Sequence, residues 1–254
     1  MDDLKEYALF AQNLAEISGK IIKGYFRTNI TIDTKSDQSP VTIADKKAEE
    51  LMRETIMNNF PEHGIIGEEF GSHNEVSEYQ WILDPIDGTK SFICGALSFG
   101  TLIALTKKGK PILGVINQPV LNECLIGDNE TAKLNGAIVK VRNRNKLSDS
   151  VLLTTDHLNI QKYQDINKFN DLIQKVKLYR NWGDCYGYYL IATGFADIMI
   201  DPIMSIWDSM ALIPVIRGGG GIITDYHGND PVAGKSIIAA GSADVHREVI
   251  RILN

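Results

Sequence analysis

The stretch WILDPIDGTKSF, residues 81–92, delivers two acids, Asp84 and Asp87, from the end of an apolar segment. Asp, Pro and Gly are common turn residues, and an Asp side chain often bonds its own backbone. Alternatively, Pro85 stiffens the step after Asp84, Gly88 permits a backbone that other residues resist, and both acids are held for chemistry at a strand end. Taken alone, the pattern fits both readings. Other acids bear on the choice. Glu68-Glu69 directly follow the apolar GIIG, Asp208 lies between Trp207 and MALIPVI, and Asp45 closes Thr42-Ile-Ala-Asp45. Each has a plain structural role as well: loop acids are usually solvated, Asp208 suits a helix N-terminus, and the Thr42 to Asp45 spacing fits a capping box. Four or five carboxylates brought together would repel one another and raise one another's pKa. A bound metal removes that conflict. The histidines at 63, 73, 157, 227 and 246 form no HxxxH pair, so an all-oxygen site for Mg²⁺ is favoured over zinc. Spacing leaves open whether residue 208 reaches residue 84.

Such acids need elements to hold them. Leu4, Ala8, Ala11, Leu14, Ala15, Ile21, Ile22 and Tyr25 follow helical spacing, and a second helix is expected from near Thr42 to Asn59, stopped by Phe60-Pro61. Short apolar runs at 64–67, 81–83, 99–106 and 111–116 read as strands, with KKGK at 107–110 as a hairpin connection. Strands are also expected on either side of Asn135-Gly136. The polar RNRNKLSDS at 142–150 reads as a connection, which divides the chain into halves 1–145 and 146–254. In the second half SVLLTT, KLYRN, ADIMI, GIIT and SIIAAG alternate with helices expected within 159–177, near 185–193, from about 207 to the Gly218–Gly221 run, and at the C-terminus. Mixed helices and hairpins in both halves predict an α+β layered fold.

Bulk properties narrow the class. With 254 residues, 44% apolar content and 8 prolines, the chain must bury a sizeable core. A formal charge of -6, from 32 acids against 26 bases, offers no footprint for nucleic acid. No run approaches the roughly 20 apolar residues of a membrane span, and the acidic amphipathic start DDLKEYALFAQNLAE is unlike a leader, so a soluble, cytoplasmic protein is expected. Cys94, Cys124 and Cys185 are odd in number without a CxxC pair, which predicts reduced thiols.

Across nearly its whole length the chain resembles the inositol monophosphatase superfamily of Mg²⁺-dependent phosphomonoesterases. The resemblance rests on W-x-x-D-P-x-D-G-T-x-x-F as Trp81 to Phe92 and on W-D, an apolar helix and a Gly pair as Trp207-Asp208 to Gly220. It rests also on G-E-E as Gly67-Glu68-Glu69 and on S-P-V-T-x-A-D as Ser39 to Asp45. It implies a layered αβαβα sandwich, often a homodimer. It implies that Glu68, Asp84 and the Ile86 carbonyl hold a first metal and that Asp84, Asp87 and Asp208 hold a second, with a third, weaker one near Glu68. Asp45 and Thr89 would orient or deprotonate the attacking water, and the Gly88 and Thr89 amides would bind phosphate. Lys35 falls where the family often has a lysine, although an exposed lysine reads as well. Two metals about 3.5–4 Å apart can lower the pKa of a bound water and stabilise the leaving alkoxide, so no covalent phosphoenzyme is expected and Ser91 reads as structural.

Within the superfamily, the stretches at 88–105, 181–194 and 211–228 look most like those of the histidinol-phosphate phosphatases. That substrate carries an amine and an imidazole, which suit added carboxylates. Asp184 and Asp201 are the candidates, with Cys185 as a pocket wall. A helix cap at Asp184 and a turn at Asp201-Pro202 are equally compatible with the residues. Asp201 stands where relatives often carry Glu, and SIWD at 205–208 replaces a K-P-Y-D pattern, so the departures fall beside the leaving group. An inositol or broad sugar-alcohol monophosphatase is the alternative substrate class. A non-catalytic member of the fold would lack metal ligands, yet all are present.

Overall fold

The structure is a computed structural model that describes residues 2–34 and 40–254. Lys35 and Ser39 lie outside the described residues. Between helices α1 (Asp2–Tyr25) and α2 (Ile43–Asn59) in the chain lie β1 (Ile32–Thr34) and β2 (Pro40–Thr42), which pair as a small antiparallel two-stranded sheet. There follow β3 (Gly64–Gly67), β4 (Gly71–His73), β5 (Tyr79–Asp87), a short α3 (Thr89–Ile93), β6 (Gly100–Lys107), β7 (Lys110–Gln118), β8 (Glu123–Gly127), β9 (Ala132–Leu134) and β10 (Ala137–Val139). The remainder comprises β11 (Val151–Thr154), α4 (His157–Tyr163), α5 (Ile166–Ile173), β12 (Leu178–Arg180), α6 (Asp184–Ala192), β13 (Ile198–Asp201), α7 (Ile206–Ser209), α8 (Leu212–Gly218), β14 (Ile222–Thr224), β15 (Ile237–Ala240) and α9 (Ala243–Leu253).

Two main sheets form. One has eight strands in the order β10-β9-β8-β7-β6-β5-β3-β4, and the other has five in the order β12-β11-β13-β15-β14. Strand periodicity sorts their side chains into separate cores. Trp81, Leu83, Ile103, Leu105, Leu113 and Val115 face α1 and α2, whereas Ile82, Leu102, Ala104 and Ile116 face the opposite way. There they meet α6, α8 and the inner residues Leu153, Met199, Ile237 and Ala239 of the second sheet. The second sheet's outer residues Leu152, Ile198, Ile200 and Ile238 pack with α4, α5 and α9. Helices, sheet, helices, sheet and helices follow in turn, the expected αβαβα layering.

Most expected elements form, with two refinements. The helix expected within 159–177 is two helices, because Asp165 caps a new start by accepting the Asn167 and Lys168 amides. The helix expected from about 207 breaks after Ser209. Pro214 has no N–H for the Met210 carbonyl, so it fits only in the first turn of a fresh helix. The three cysteines are free thiols.

Candidate active site

The acids meet at the ends of β3 and β5, and the register explains how. In a regular strand, residues three apart point to opposite faces. Asp84 pairs with Leu102 and Asp87 with Gly100, so three steps on β5 oppose two on β6. This bulge brings both carboxylates to one side, as extra-residue bulges re-aim side chains at functional rims. Pro85, which needs no ladder donor, sits within it, and its carbonyl accepts the buried Thr101 hydroxyl at 2.9 Å.

Strand β3 runs parallel to β5 with Gly67 opposite Leu83, and Glu68 N–H donates to the Leu83 carbonyl at 3.2 Å. Glu68 is thereby delivered beside Asp84. Helix α7 packs on β5 and β6 and carries Asp208. The carboxylates of Asp84, Asp87 and Asp208 offer oxygens that all lie within 4.8 Å of one another. Asp84 is buried; Asp87 and Asp208 are half-buried.

Two acids do structural and site work at once. Asp45 closes the capping box of α2: its Oδ2 accepts the Thr42 amide at 2.8 Å and the Thr42 hydroxyl at 2.6 Å. Its Oδ1 is buried without a hydrogen-bond partner among the described residues. Asp208 Oδ2 likewise accepts the Ser205 amide at 2.7 Å at the start of α7. A cap and a place in the cluster are therefore compatible.

The electrostatics of the cluster suit a bound cation. Burial pushes Asp84 well above the usual carboxylate range, and the charges of Glu68, Asp87 and Asp208 push the same way. Asp87 is raised by burial and then by Asp184 and Asp208. Asp45 is raised by burial, with a further push from Glu68. Asp84 Oδ1, like Asp45 Oδ1, is buried with no hydrogen-bond partner among the described residues. Buried acceptors are rarely left so, because each costs about 1–3 kcal/mol. An all-carboxylate donor set with unpaired oxygens fits a hard divalent cation.

Next to the cluster, Gly88 is the N-cap of α3 with φ +87°, and a Cβ there would lie 2.9 Å from the Asp184 carboxylate and from the Ser98 carbonyl. Thr89 donates its hydroxyl to the Ile86 carbonyl at 3.0 Å. Asp184, at the first position of α6, has φ 51° and donates its amide to the Thr155 hydroxyl at 2.8 Å. The N-cap of α6 is Gly183, and Asp184 Oδ2 accepts the Ser91 hydroxyl at 3.3 Å. Burial and the charge of Asp201 push Asp184 up to about 7. Asp201 is buried and accepts from the Tyr188 hydroxyl at 2.9 Å and the Thr155 amide at 3.2 Å.

A cavity of about 120 Å³ opens on this region, lined by Asp87, Asp184, Asp201 and Asp208 together with Thr155, Asp156, Asn159 and Pro202 to Met204. The structure thus gathers Asp87, Asp184, Asp201 and Asp208 around one space. Cys185 is not among the lining residues: its thiol is buried against Gly100 and the Asp87 carbonyl, and its amide donates to the Asp87 carboxylate. Sequence reasoning missed Thr155, Asp156 and Asn159. The available signal was Thr155-Asp156 following the strand run SVLL, a place that presents side chains at the carboxyl end of a strand.

Residues 3–254 match the model of the inositol monophosphatase family. The chain belongs to that family. It is a metal-dependent phosphomonoesterase, and family members use divalent metals. The enzyme is 44% identical over 264 residues to the chloroplastic bifunctional phosphatase IMPL2 of Arabidopsis thaliana, covering 99% of this chain and 76% of that one. It is 39% identical over 236 residues to a histidinol-phosphatase of Chlorobaculum parvum, covering 92% of this chain and 91% of the relative. An inositol monophosphatase from Zymomonas mobilis superposes with a TM-score of 0.88 at 35% identity, with 98% of each chain covered. No described helix of the phosphatase is long and apolar enough to cross a membrane.

Proposed function

We propose that this phosphatase hydrolyses histidinol phosphate to histidinol and phosphate with Mg²⁺. The observation that carries the reading is the charge of the cavity beside the metal cluster. Beyond Asp87 and Asp208 it is lined by Asp156, Asp184 and Asp201, and no described lining residue is Lys, Arg or His. A leaving group bearing an amine and an imidazole would find charged acceptors there, whereas a neutral polyol would gain nothing from their charge. The histidinol-phosphatase relative supports the same reading.

In this proposal Glu68, Asp84 and the Ile86 carbonyl would hold one Mg²⁺. Asp84, Asp87 and Asp208 would hold a second, and a third would bind more weakly near Glu68. Bound Mg²⁺ would supply charge neutralisation, a more acidic water and leaving-group stabilisation. The chain's own residues do the rest. Asp45 keeps Oδ2 in the α2 cap, which leaves its buried Oδ1 to orient the attacking water or take a proton from it. Thr89 fixes the Ile86 carbonyl and, with its own amide and that of Gly88, forms a phosphate cradle at the start of α3. Asp184 receives the cationic end of the alcohol. Asp201 shapes the same wall while Tyr188 and Thr155 hold it in place. Cys185 contributes through its amide, which aims Asp87. The first half, 1–145, then supplies most metal ligands and the second, 146–254, supplies Asp208 and the substrate wall. A homodimer completes the reading by family likeness, and sedimentation at micromolar protein would show it.

The charge reading is tested with Asp184→Asn, since Asn tolerates the left-handed backbone. The kcat/KM for histidinol phosphate should fall by about tenfold or more, a loss typical of one charge-assisted contact, while that for inositol 1-phosphate stays within about threefold. Equal losses on both esters would remove the charge argument.

The second reading is an inositol or broad sugar-alcohol monophosphatase. The likeness to the Zymomonas mobilis enzyme favours it, as the same metal cluster would serve it unchanged.

A further inference from the structure

One buried acid beside the site has no place in that chemistry. Glu49 lies on α2 one turn beyond Asp45, so both side chains leave the same face of the helix. Its carboxylate is wholly shielded from solvent. Oε2 accepts the Glu69 amide at 2.8 Å, and Oε1 accepts the Phe70 amide at 3.1 Å. Arg53, a further turn along, reaches Oε1 at 3.2 Å and donates to the Gly71 carbonyl at 2.8 Å. On the other side of Glu68, a Cβ on Gly67 would lie 1.9 Å from Glu49 Oε1. The carboxylate therefore fills the inside of the turn that leaves β3, touching the chain on both sides of Glu68.

We propose that Glu49, backed by Arg53, is a positioning residue that sets Glu68 for divalent-cation binding. The proposal rests on the reading of Glu68 as a metal ligand. Glu68 sits beside Asp84 and Asp45, whose negative charges disfavour holding the turn in place without a cation. Two charge-assisted bonds, donated to Glu49 by the Glu69 and Phe70 amides, hold the turn there. Without them the turn relaxes, and the cation must reorder it on binding. Cation affinity falls while the fully loaded site regains its geometry. Residues that orient metal ligands typically cost 10–100-fold in affinity when lost.

Two variants test this by different means. Glu49→Gln keeps the shape but presents an NH₂ group to one of the two amides. Gly67→Ala keeps every charge but drives a methyl group against Oε1. Titration calorimetry with Mg²⁺ alone should show affinity weakened about tenfold or more in both. The rise in Tm on saturating Mg²⁺ should shrink, and kcat at saturating Mg²⁺ should return to within about threefold of wild type. A merely structural role would lower the metal-free Tm and leave Mg²⁺ affinity alone. Wild-type affinity in either folded variant overturns the proposal, and Gly67→Ala keeps the test open if Glu49→Gln does not fold. Glu68→Gln run alongside separates the premises: unchanged affinity there overturns the ligand assignment itself.

Discussion

The backbone amide of Cys185 donates to the carboxylate of Asp87, joining the first turn of α6 to the bulge that ends β5. The two residues are 98 positions apart in the chain. The thiol itself is buried, and burial, followed by the charges of Asp87 and Asp184, pushes it well above the ordinary range. It is therefore no nucleophile at neutral pH. Because the contribution is a backbone amide, Cys185→Ala should leave Mg²⁺ affinity and kcat within about twofold and cost roughly 1 kcal/mol of stability for the lost packing. Loss of activity out of proportion to a Tm decrease would show that the side chain matters.

Asp84 is in electrostatic conflict in the metal-free protein, being buried among Glu68, Asp87 and Asp208. Asp84→Asn should raise the metal-free Tm or leave it unchanged, because one repelling charge is gone. The same change should abolish the Tm gain on adding Mg²⁺ and lower kcat/KM on the order of 10³-fold or more. Differential scanning calorimetry with and without Mg²⁺ reads both effects. A variant still stabilised by Mg²⁺ as wild type is would contradict the cluster's role.

Asp184 gives a pH signature. Its folded value is raised to about 7, by burial first and then by Asp201. A carboxyl raised on folding stabilises the protein below its unfolded value and loses that contribution as pH rises through the folded one. The metal-free Tm should thus fall as pH climbs from the ordinary carboxylate range to about 7 and level off above it, and Asp184→Asn should flatten the decline. Chemical or thermal melts in a chelating buffer across that range would reveal it. An unchanged slope in the variant would place the titration elsewhere.

Arg142 and Asp197 form a bidentate pair, with Arg142 Nε donating to Asp197 Oδ1 at 2.6 Å, and Asp197 also accepts the Val151 amide at 2.6 Å. The pair ties the connection after β10 to β11 of the second sheet. Asp197 is buried, while the Arg142 side chain is 28% exposed. Arg142→Met strands a buried carboxylate and should cost about 3 kcal/mol; Asp197→Asn frees an arginine that can reach water and should cost about half as much. Urea denaturation of the two variants decides the order, and a larger loss in Asp197→Asn would reverse the argument.

How much of this was legible beforehand follows from the range over which each signal acts. The strands around 64–67, 81–83, 99–106 and 111–116 carry their own periodicity, and the Thr42 to Asp45 cap is a four-residue pattern, so both are local and readable. The bulge between Asp84 and Asp87 is not, because it exists only relative to β6. Nor could spacing show that α7 brings Asp208 within 4.8 Å of Asp84, or that α6 reaches Asp87. Glu49 was invisible for another reason. In the sequence it is one acid in the charged run DKKAEE of a helix, and only the packing of α2 against the turn after β3 buries it. Family resemblance supplied the convergence of Asp84, Asp87 and Asp208 that periodicity lacked; Thr155, Asp156 and Asn159 emerged from the cavity alone.

The central claim is a Mg²⁺ phosphatase whose acidic cavity selects a cationic alcohol. Its most direct test is phosphate release by the unmodified enzyme from histidinol phosphate and from inositol 1-phosphate, each at subsaturating concentration with saturating Mg²⁺. The account predicts a kcat/KM at least about tenfold higher for histidinol phosphate, the worth of one well-placed charge contact. Equal or greater efficiency on inositol 1-phosphate would contradict it.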